Sequence, residues 1–335
     1  MEDFAKFKLV GQSPAFLEVL ELTRRFSGCD ATVLVQGETG TGKELIARAI
    51  HYLGVRRDFP FIPVNCGALP DTLVESELFG HARGAFTDAR DARRGLVAEA
   101  QGGTLFLDEI DVLTPKAQVA LLRFLQDLEY RPVGGALVRN ANVRIIAASN
   151  ANLGALQKDN HFRQDLLFRL NVLSVNLPPL RERQSDVVFL AEIFLKRLAQ
   201  QYRRPPKSLH LDAVPRLLGY AWPGNVRELE NLIHREFLMT DGTMIHLDGL
   251  APLGARQEDA RDAASSRLTE SRFREAKACA IARFERAYIV ELLARTGGNI
   301  SQASRISGKE RSRFGKLVKK YGLERIAFAR SAEAG

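Results

Sequence analysis

The segment that most restricts the fold is Val33-Leu-Val-Gln36, an apolar run that passes directly into Gly37-Glu-Thr-Gly-Thr-Gly42-Lys43-Glu44 and then into a helical pattern reaching Ile50. The order is strand, glycine-rich loop, helix. Glycines let the backbone curl so that successive N–H groups converge on one anion. The helix N-terminus adds partial positive charge, and the lysine can reach the outer phosphates of a nucleotide. Gly37, Glu38, Thr39, Gly40, Thr41, Gly42, Lys43 and Glu44 therefore form a candidate phosphate loop. Taken alone, the pattern also fits a purely structural turn.

A second segment narrows the choice. Gly102-Gly-Thr-Leu-Phe-Leu-Asp108-Glu109-Ile110 is a short apolar strand that ends in two acids. A buried parallel strand reads as a continuous apolar run, and ligands gather beyond the carboxyl ends of such strands. Asp108 is thereby placed to hold Mg²⁺, directly or through water, and Glu109 to polarise an attacking water. Glu44 stands where a phosphate-loop lysine is usually followed by Ser or Thr. The metal would lose a hydroxyl ligand, which leaves Asp108 and water to do more.

Strand-like runs at 32–36, 61–65, 104–107, 143–148 and 172–176 alternate with amphipathic helical stretches such as 116–128, which predicts a parallel α/β sheet. Pro178-Pro179 ends it, because two prolines continue neither a ladder nor a helix. The pattern from Ser185 to Met239 is helical, and residues 251–266 are small and polar, as a linker would be. Neither a signal peptide nor an apolar run near the ~18 residues of a membrane span is present. Three scattered cysteines, Cys29, Cys66 and Cys279, with no Cys/His cluster, point away from disulfides and zinc and towards the cytoplasm.

The charge is concentrated. Residues 267–335 carry 16 Lys/Arg against 7 Asp/Glu, a net of +9, whereas the whole chain is +8. A basic domain of this kind is an electrostatic footprint for nucleic acid. Ile281, Phe284, Tyr288 and Leu292 follow helical spacing, Gly297-Gly298 can end that helix, and Asn299 can cap the next. Ser307-Gly308 makes a turn. Beyond it Lys309, Arg311, Arg313, Lys316, Lys319 and Lys320 surround Phe314, Leu317 and Val318, a pattern suited to a DNA major groove or to a plain charged hairpin.

Residues 9–250 resemble the central domain of bacterial enhancer-binding activators of sigma-54 RNA polymerase, a branch of the AAA+ ATPases. Besides the two motifs above, the resemblance rests on Val64-Asn-Cys-Gly-Ala-Leu69, Glu77-Leu-Phe-Gly-His81, Gly84-Ala-Phe-Thr-Asp-Ala89, Phe162-Arg-Gln-Asp-Leu-Leu-Phe-Arg-Leu-Asn171, Leu177-Pro-Pro-Leu-Arg-Glu-Arg183 and Trp222-Pro-Gly-Asn-Val-Arg-Glu-Leu229. Residues 275–323 resemble the Fis-type helix-turn-helix that usually follows. The implied fold is an AAA+ P-loop NTPase with a parallel sheet (1–176) and a helical lid (177–250). A linker (251–274) and an all-α helix-turn-helix domain (275–335) follow. Glu44 is usual in this family.

The resemblance also implies roles. Asn65 would restrain Glu109 until the site is assembled, although a plain strand-end Asn reads the same. Ser149-Asn150 would sense the γ phosphate, with Ser149 in place of the more usual Thr. Arg163 and Arg169 would act on a neighbour's ATP, implying a hexameric ring; locally they also read as salt-bridged helix arginines. Arg227 would read the nucleotide state, or else pair with Glu230. Phe86 and Thr87 would touch the sigma factor, beside Asp88 where the family has Gly. About eight residues precede the resembling segment, where many relatives carry a sensing domain, so control by a separate regulatory protein is one expectation. The implied function is ATP-driven remodelling of sigma-54 holoenzyme from an upstream DNA site. The alternatives are a DNA-binding regulator whose ATPase domain serves assembly, and, more distantly, a helicase or clamp loader.

Overall fold

The structure, a computed structural model, describes residues 2–70, 72–86, 89–247, 250, 289, 292–293, 296, 299–308 and 311–320. The chain forms two compact units, Met1–Ala255 and Arg256–Gly335.

The first unit is built on a five-stranded sheet: β1 (Val33–Gln36), β2 (Phe61–Asn65), β3 (Thr104–Asp108), β4 (Arg144–Ser149) and β5 (Leu173–Asn176). The spatial order is β2-β3-β4-β1-β5, and every pairing is parallel. Successive side chains on a strand face opposite ways, and the sequence uses both faces. Leu34, Leu105, Leu107, Ile145 and Ala147 enter one core with Leu121 and Phe124 of the helix Pro115–Asp127. Val33, Val35, Phe106, Ile146 and Ala148 enter the other with Phe16, Ile46 and Ile50. Helix α1 (Pro14–Ser27) and helix α2 (Lys43–Tyr52) cover that second face, and α3 (Pro115–Asp127) the first. The loops leaving β1, β3 and β4 thus open at one edge of the sheet, the usual place for a ligand crevice.

The strands begin or end within one residue of their expected limits; Val172 is exposed and lies outside β5. Three two-residue pairings were not anticipated: Gly80–His81 with Arg93–Arg94, Glu129–Tyr130 with Arg139–Asn140, and Ser208–Leu209 with Met244–Ile245. Elements so short carry no periodicity to read.

After α4 (Gln164–Leu170) and the prolines, three helices make a smaller subdomain: α5 (Gln184–Tyr202), α6 (Ala213–Gly219) and α7 (Asn225–Met239). Leu190, Phe194, Leu198, Leu217, Trp222, Leu229, Ile233 and Phe237 fill its core. Trp222 is buried, and its indole N–H donates to Leu217 O at 2.9 Å. Asp186 anchors the N-terminal segment to α5. It accepts from Gln12 N (2.6 Å), Ser13 N (2.8 Å), Ser13 Oγ (2.7 Å) and Arg183 Nε (2.9 Å). Among the described residues no helix is long and apolar enough to cross a membrane.

In the second unit, Asn299 Oδ1 accepts from Ser301 N and Gln302 N (3.1 and 3.2 Å) and caps α8 (Ile300–Ile306). Gly308, at φ +66°, makes the turn before α9 (Arg311–Lys320). Ile289, Leu292, Leu293, Ala303, Phe314 and Val318 form its buried cluster. Arg311, Arg313, Lys316 and Lys319 lie exposed on α9. Lys309, the side chains of Leu317 and Lys320, the expected linker, the glycine pair 297–298, and Ile281, Phe284 and Tyr288 lie outside the described residues.

Candidate active site

The phosphate loop owes its shape to glycines at positive φ. Gly42 (φ +102°) sits at the start of α2, and Gly40 has φ +80°. A Cβ on Gly40 would stand 2.2 Å from Gly224 O, so the loop and the lid meet with no room for a side chain. The first turn of α2 leaves its N–H groups without intrahelical acceptors. Lys43 is buried beneath the loop, donating from Nζ to Gly37 O (2.8 Å) and Glu38 O (3.2 Å). Burial holds its pKa below the ordinary lysine value, against the pull of Asp108, Asp111 and Glu109. Thr41 Oγ1 closes the loop on Glu38 O at 2.7 Å.

Asp108 ends β3 in a half-buried position, and burial pushes its carboxyl above the usual range. Its Oδ1 accepts from Glu109 N at 3.0 Å. Glu109 adopts φ 56°, ψ 45°, a left-handed conformation that costs a non-glycine residue on the order of 1–3 kcal/mol. That turn redirects its side chain from the strand axis towards β2. A Cβ built on Gly67 would meet Glu109 Oε2 at 2.8 Å and Asn65 Oδ1 at 3.2 Å, so these two side chains share the space over Gly67. Asn65 Oδ1 meanwhile accepts from Gly67 N and Ala68 N (2.8 and 3.2 Å), and no Asn65–Glu109 hydrogen bond occurs among the described residues.

Ser149 and Asn150 close the same edge from β4. Ser149 Oγ donates to Asp111 Oδ1 at 2.7 Å, and Asn150 N reaches that oxygen at 3.3 Å. Asn150 Nδ2 lies 3.4 Å from Thr39 Oγ1, which ties β4 to the phosphate loop. Glu44 stands at the rim of the loop, where its carboxylate pairs with Arg48 at 2.8 Å. Glu38 pairs with Arg181, Asn225 Nδ2 donates to Thr39 O at 3.0 Å, and Arg227 N donates to Gly40 O at 3.3 Å.

A cavity of about 350 Å³ results. Its polar end is lined by Thr39 to Glu44, Asp108, Glu109, Asn150 and Arg227, and its apolar end by Leu9, Val10, Leu190, Phe194 and Val226. Glu230, the alternative partner for Arg227, is engaged by Arg197 instead. The residues fit a nucleotide. The loop and Lys43 suit its phosphates, the Asp108 carboxylate suits a divalent cation, and the apolar end suits a flat base.

Arg163, at the N-cap of α4, and Arg169, in its last turn, lie apart from this cavity. Arg163 is exposed and makes a bidentate pair with Asp165 (3.0 and 2.7 Å), which raises the Arg163 pKa. Its backbone N–H is held by the buried side chain of Gln118 at 2.9 Å. Arg169 is exposed. The Phe86 turn is also remote. Gly84 N donates to Ala89 O (2.8 Å), Ala89 N to Phe86 O (2.9 Å), and Phe86 stands edge-on to His81 with ring centres 5.0 Å apart. Thr87 and Asp88 lie outside the described residues.

Comparison with known families matches residues 9–176 to the sigma-54 interaction domain, 181–267 to the AAA+ ATPase lid domain, and 280–321 to the bacterial regulatory protein, Fis family. The chain belongs to this family of sigma-54-type regulators. It is 42% identical over 315 residues to the alginate biosynthesis transcriptional regulatory protein AlgB of Pseudomonas aeruginosa, covering 94% of this chain and 68% of AlgB. It is 39% identical over 331 residues to the nitrogen fixation protein AnfA of Azotobacter vinelandii, covering 99% of this chain and 60% of AnfA. The chain thus spans roughly three fifths to two thirds of these relatives. Among solved structures, NtrX from Brucella abortus in complex with ADP superposes with a TM-score of 0.67 at 33% identity, covering 94% of this chain and 69% of NtrX. The AAA+ nucleotide-binding fold, its lid and the helix-turn-helix are therefore features of the family to which this chain belongs.

Three further residues organise this edge of the sheet. Asp111 orients Ser149 and Asn150, Arg181 holds Glu38, and Asn225 bridges the loop and Leu180 N (2.8 Å). Asp111 lies three residues past Asp108 and reads as a turn acid. Arg181 and Asn225 lie more than 140 residues from Glu38, so no local pattern reveals the contact.

Proposed function

We propose that this chain is an ATP-dependent transcriptional activator. Residues 275–335 bind an upstream DNA site through Lys309, Arg311, Arg313, Lys316, Lys319 and Lys320. The AAA+ domain assembles into a homo-oligomeric ring, a hexamer by family likeness, and works on sigma-54 RNA polymerase holoenzyme in the cytoplasm. Phe86 and Thr87 make the contact. The observation that carries the reading is the convergence of the phosphate loop, Asp108, Glu109 and Asn150 on one cavity, with Arg163 and Arg169 outside its lining.

In this reading Lys43 leaves the loop carbonyls for the β and γ phosphates of ATP, and Glu109 orients and polarises the attacking water. Asp108 would hold Mg²⁺, which supplies charge neutralisation at the transferred phosphate. Asn65, beside Glu109 over Gly67, restrains Glu109 until the site is assembled, by turning its amide to that carboxylate. Ser149 and Asn150 report on the γ phosphate, and Arg227 carries nucleotide state into α7. Arg169, with Arg163, completes a neighbour's site, because a fixed guanidinium stabilises the charge that spreads over the γ oxygens.

The test is transcription from a sigma-54 promoter with purified polymerase, with and without ATP. ATP-dependent open complexes are expected, abolished by Phe86→Ala with hydrolysis retained. Hydrolysis and DNA binding without activation, in both the wild type and Asp88→Gly, would favour a DNA-binding regulator whose ATPase domain serves assembly.

A further inference from the structure

The parallel pairing of Ser208–Leu209 with Met244–Ile245 sets two histidines side by side. His210 N donates to Ile245 O at 2.9 Å, which extends the ladder and brings His210 next to His246. The two imidazoles stack with ring centres 4.2 Å apart and planes inclined by 30°. Asp212 occupies the N-cap position of α6, yet its carboxylate caps nothing. A side chain at that position normally accepts from the first helical N–H groups. Here Asp212 Oδ2 turns back to within 3.2 Å of His210 Nδ1.

The Asp212 backbone N also lies 3.3 Å from that ring nitrogen. An imidazole nitrogen has one in-plane site, which holds either a proton or a lone pair. With a proton it donates to Asp212 Oδ2; with a lone pair it and the carboxylate are two donors facing one cation. One donor atom from each of His210, Asp212 and His246 lies within 4.8 Å of the other two. None of the three lines the nucleotide cavity.

We infer that His210, Asp212 and His246 form a binding site for a first-row divalent transition-metal ion of the Zn²⁺ class, with water completing the shell. Two imidazoles and one carboxylate are the donors such ions select, whereas Mg²⁺ and Ca²⁺ prefer oxygen alone. With metal–ligand bonds of about 2.0–2.1 Å, two ligands cannot lie more than about 4.2 Å apart. With all three donors within 4.8 Å of one another, no pair need close by more than about 0.6 Å, a small adjustment for the exposed Asp212 and His246 side chains. The ion would clamp together two strands of only two residues each, an arrangement with little stability of its own. Neither Cys29 nor Cys66 belongs to the cluster, and the 36-residue spacing of the histidines hides it in the sequence.

The test uses the full chain stripped of metal and titrated with Zn²⁺ against a competing chelator. Co²⁺ serves as a coloured probe of geometry. The expected result is one Zn²⁺ per chain at about micromolar affinity or tighter, with a rise in melting temperature. His210→Asn and His246→Asn should each weaken binding by about tenfold or more. Melting of the metal-free variants beside metal-free wild type identifies a folding defect. X-ray absorption of the zinc-loaded wild type, showing two imidazole nitrogens on the ion, decides the point without any variant. A shell without imidazole, wild-type affinity retained in both histidine variants, or wild-type binding weaker than about 100 µM would overturn the site.

Discussion

Glu38 in the phosphate loop and Arg181 at the entry to the helical subdomain share two hydrogen bonds, Nη1 to Oε2 at 2.8 Å and Nη2 to Oε1 at 2.6 Å. Asn225 Nδ2 joins Oε2 at 3.1 Å. The bond from Arg181, above all, holds the Glu38 carboxyl below its usual range. The loop that would cradle phosphate is thereby fastened to the helical subdomain.

The pair is 44% and 40% exposed, so solvent screens it and its worth is about 1 kcal/mol or less. Arg181→Gln should weaken ATP binding by no more than about fivefold. It should also make that binding less sensitive to salt, since an exposed ion pair weakens as salt rises. Titration of a fluorescent nucleotide at two ionic strengths measures both. A loss beyond about a hundredfold would mean that Arg181 touches the nucleotide itself.

Asp111 gives a sharper test of the site. Its Oδ1 receives both Ser149 Oγ and Asn150 N, and Asn150 in turn reaches Thr39. In Asp111→Ala, Asn150 N loses its acceptor and Ser149 Oγ keeps only Ala151 O at 3.1 Å, so the β4 end is less firmly fixed. Misplacement of a catalytic group by a fraction of an ångström is costly in rate. The turnover number should fall by about tenfold or more, with nucleotide affinity changed by less than about threefold. Equal losses in both would assign Asp111 to binding.

The sequence reading located these elements unevenly, for physical reasons. The core strands and the phosphate loop were legible because burial on both faces demands continuous apolar runs and the tight loop demands glycine. Asp108 and Glu109 were legible as acids at the end of such a strand. The left-handed turn at Glu109 was not, since nothing in the residue type announces it. The bonds from Asp111, Arg181 and Asn225 exist only once β4 and the lid have folded against β1, and short pairings such as Ser208–Leu209 with Met244–Ile245 are fixed by tertiary contact.

Asp186 predicts an acid response. Burial raises its carboxyl, but Gln12 N, Ser13 and Arg183 outweigh that and hold it below the usual range. Asp186 and Arg183 are almost wholly buried, so screening is weak. A depressed folded value means that the contribution is complete above the unfolded pKa of about 3.9 and is lost as pH falls through the folded value. Asp186→Asn should cost about 3 kcal/mol near neutrality and flatten the loss of stability below about pH 4. Urea unfolding from neutral to acid pH gives both quantities. A pH profile parallel to the wild type would show that another carboxylate governs acid sensitivity.

Arg169 carries the last prediction. Arg163 is committed to Asp165, whereas Arg169, at the other end of α4, is exposed and has no carboxylate partner among the described residues. Neither lines the cavity of its own chain. If Arg169 supplies charge to a neighbour's γ phosphate, Arg169→Ala should reduce turnover by about a thousandfold or more. Glu109→Gln should do the same from the acceptor side while retaining ATP binding. Mixed in equal amounts, the two variants would place an intact Glu109 against an intact Arg169 at about a quarter of interfaces in a cyclic assembly. Hydrolysis should therefore recover to about that fraction of wild type. Co-assembly is verified by pull-down with differently tagged subunits. Co-assembled rings that remain inactive would place Arg169 in its own chain's chemistry or in the packing of α4, and the trans assignment would be abandoned.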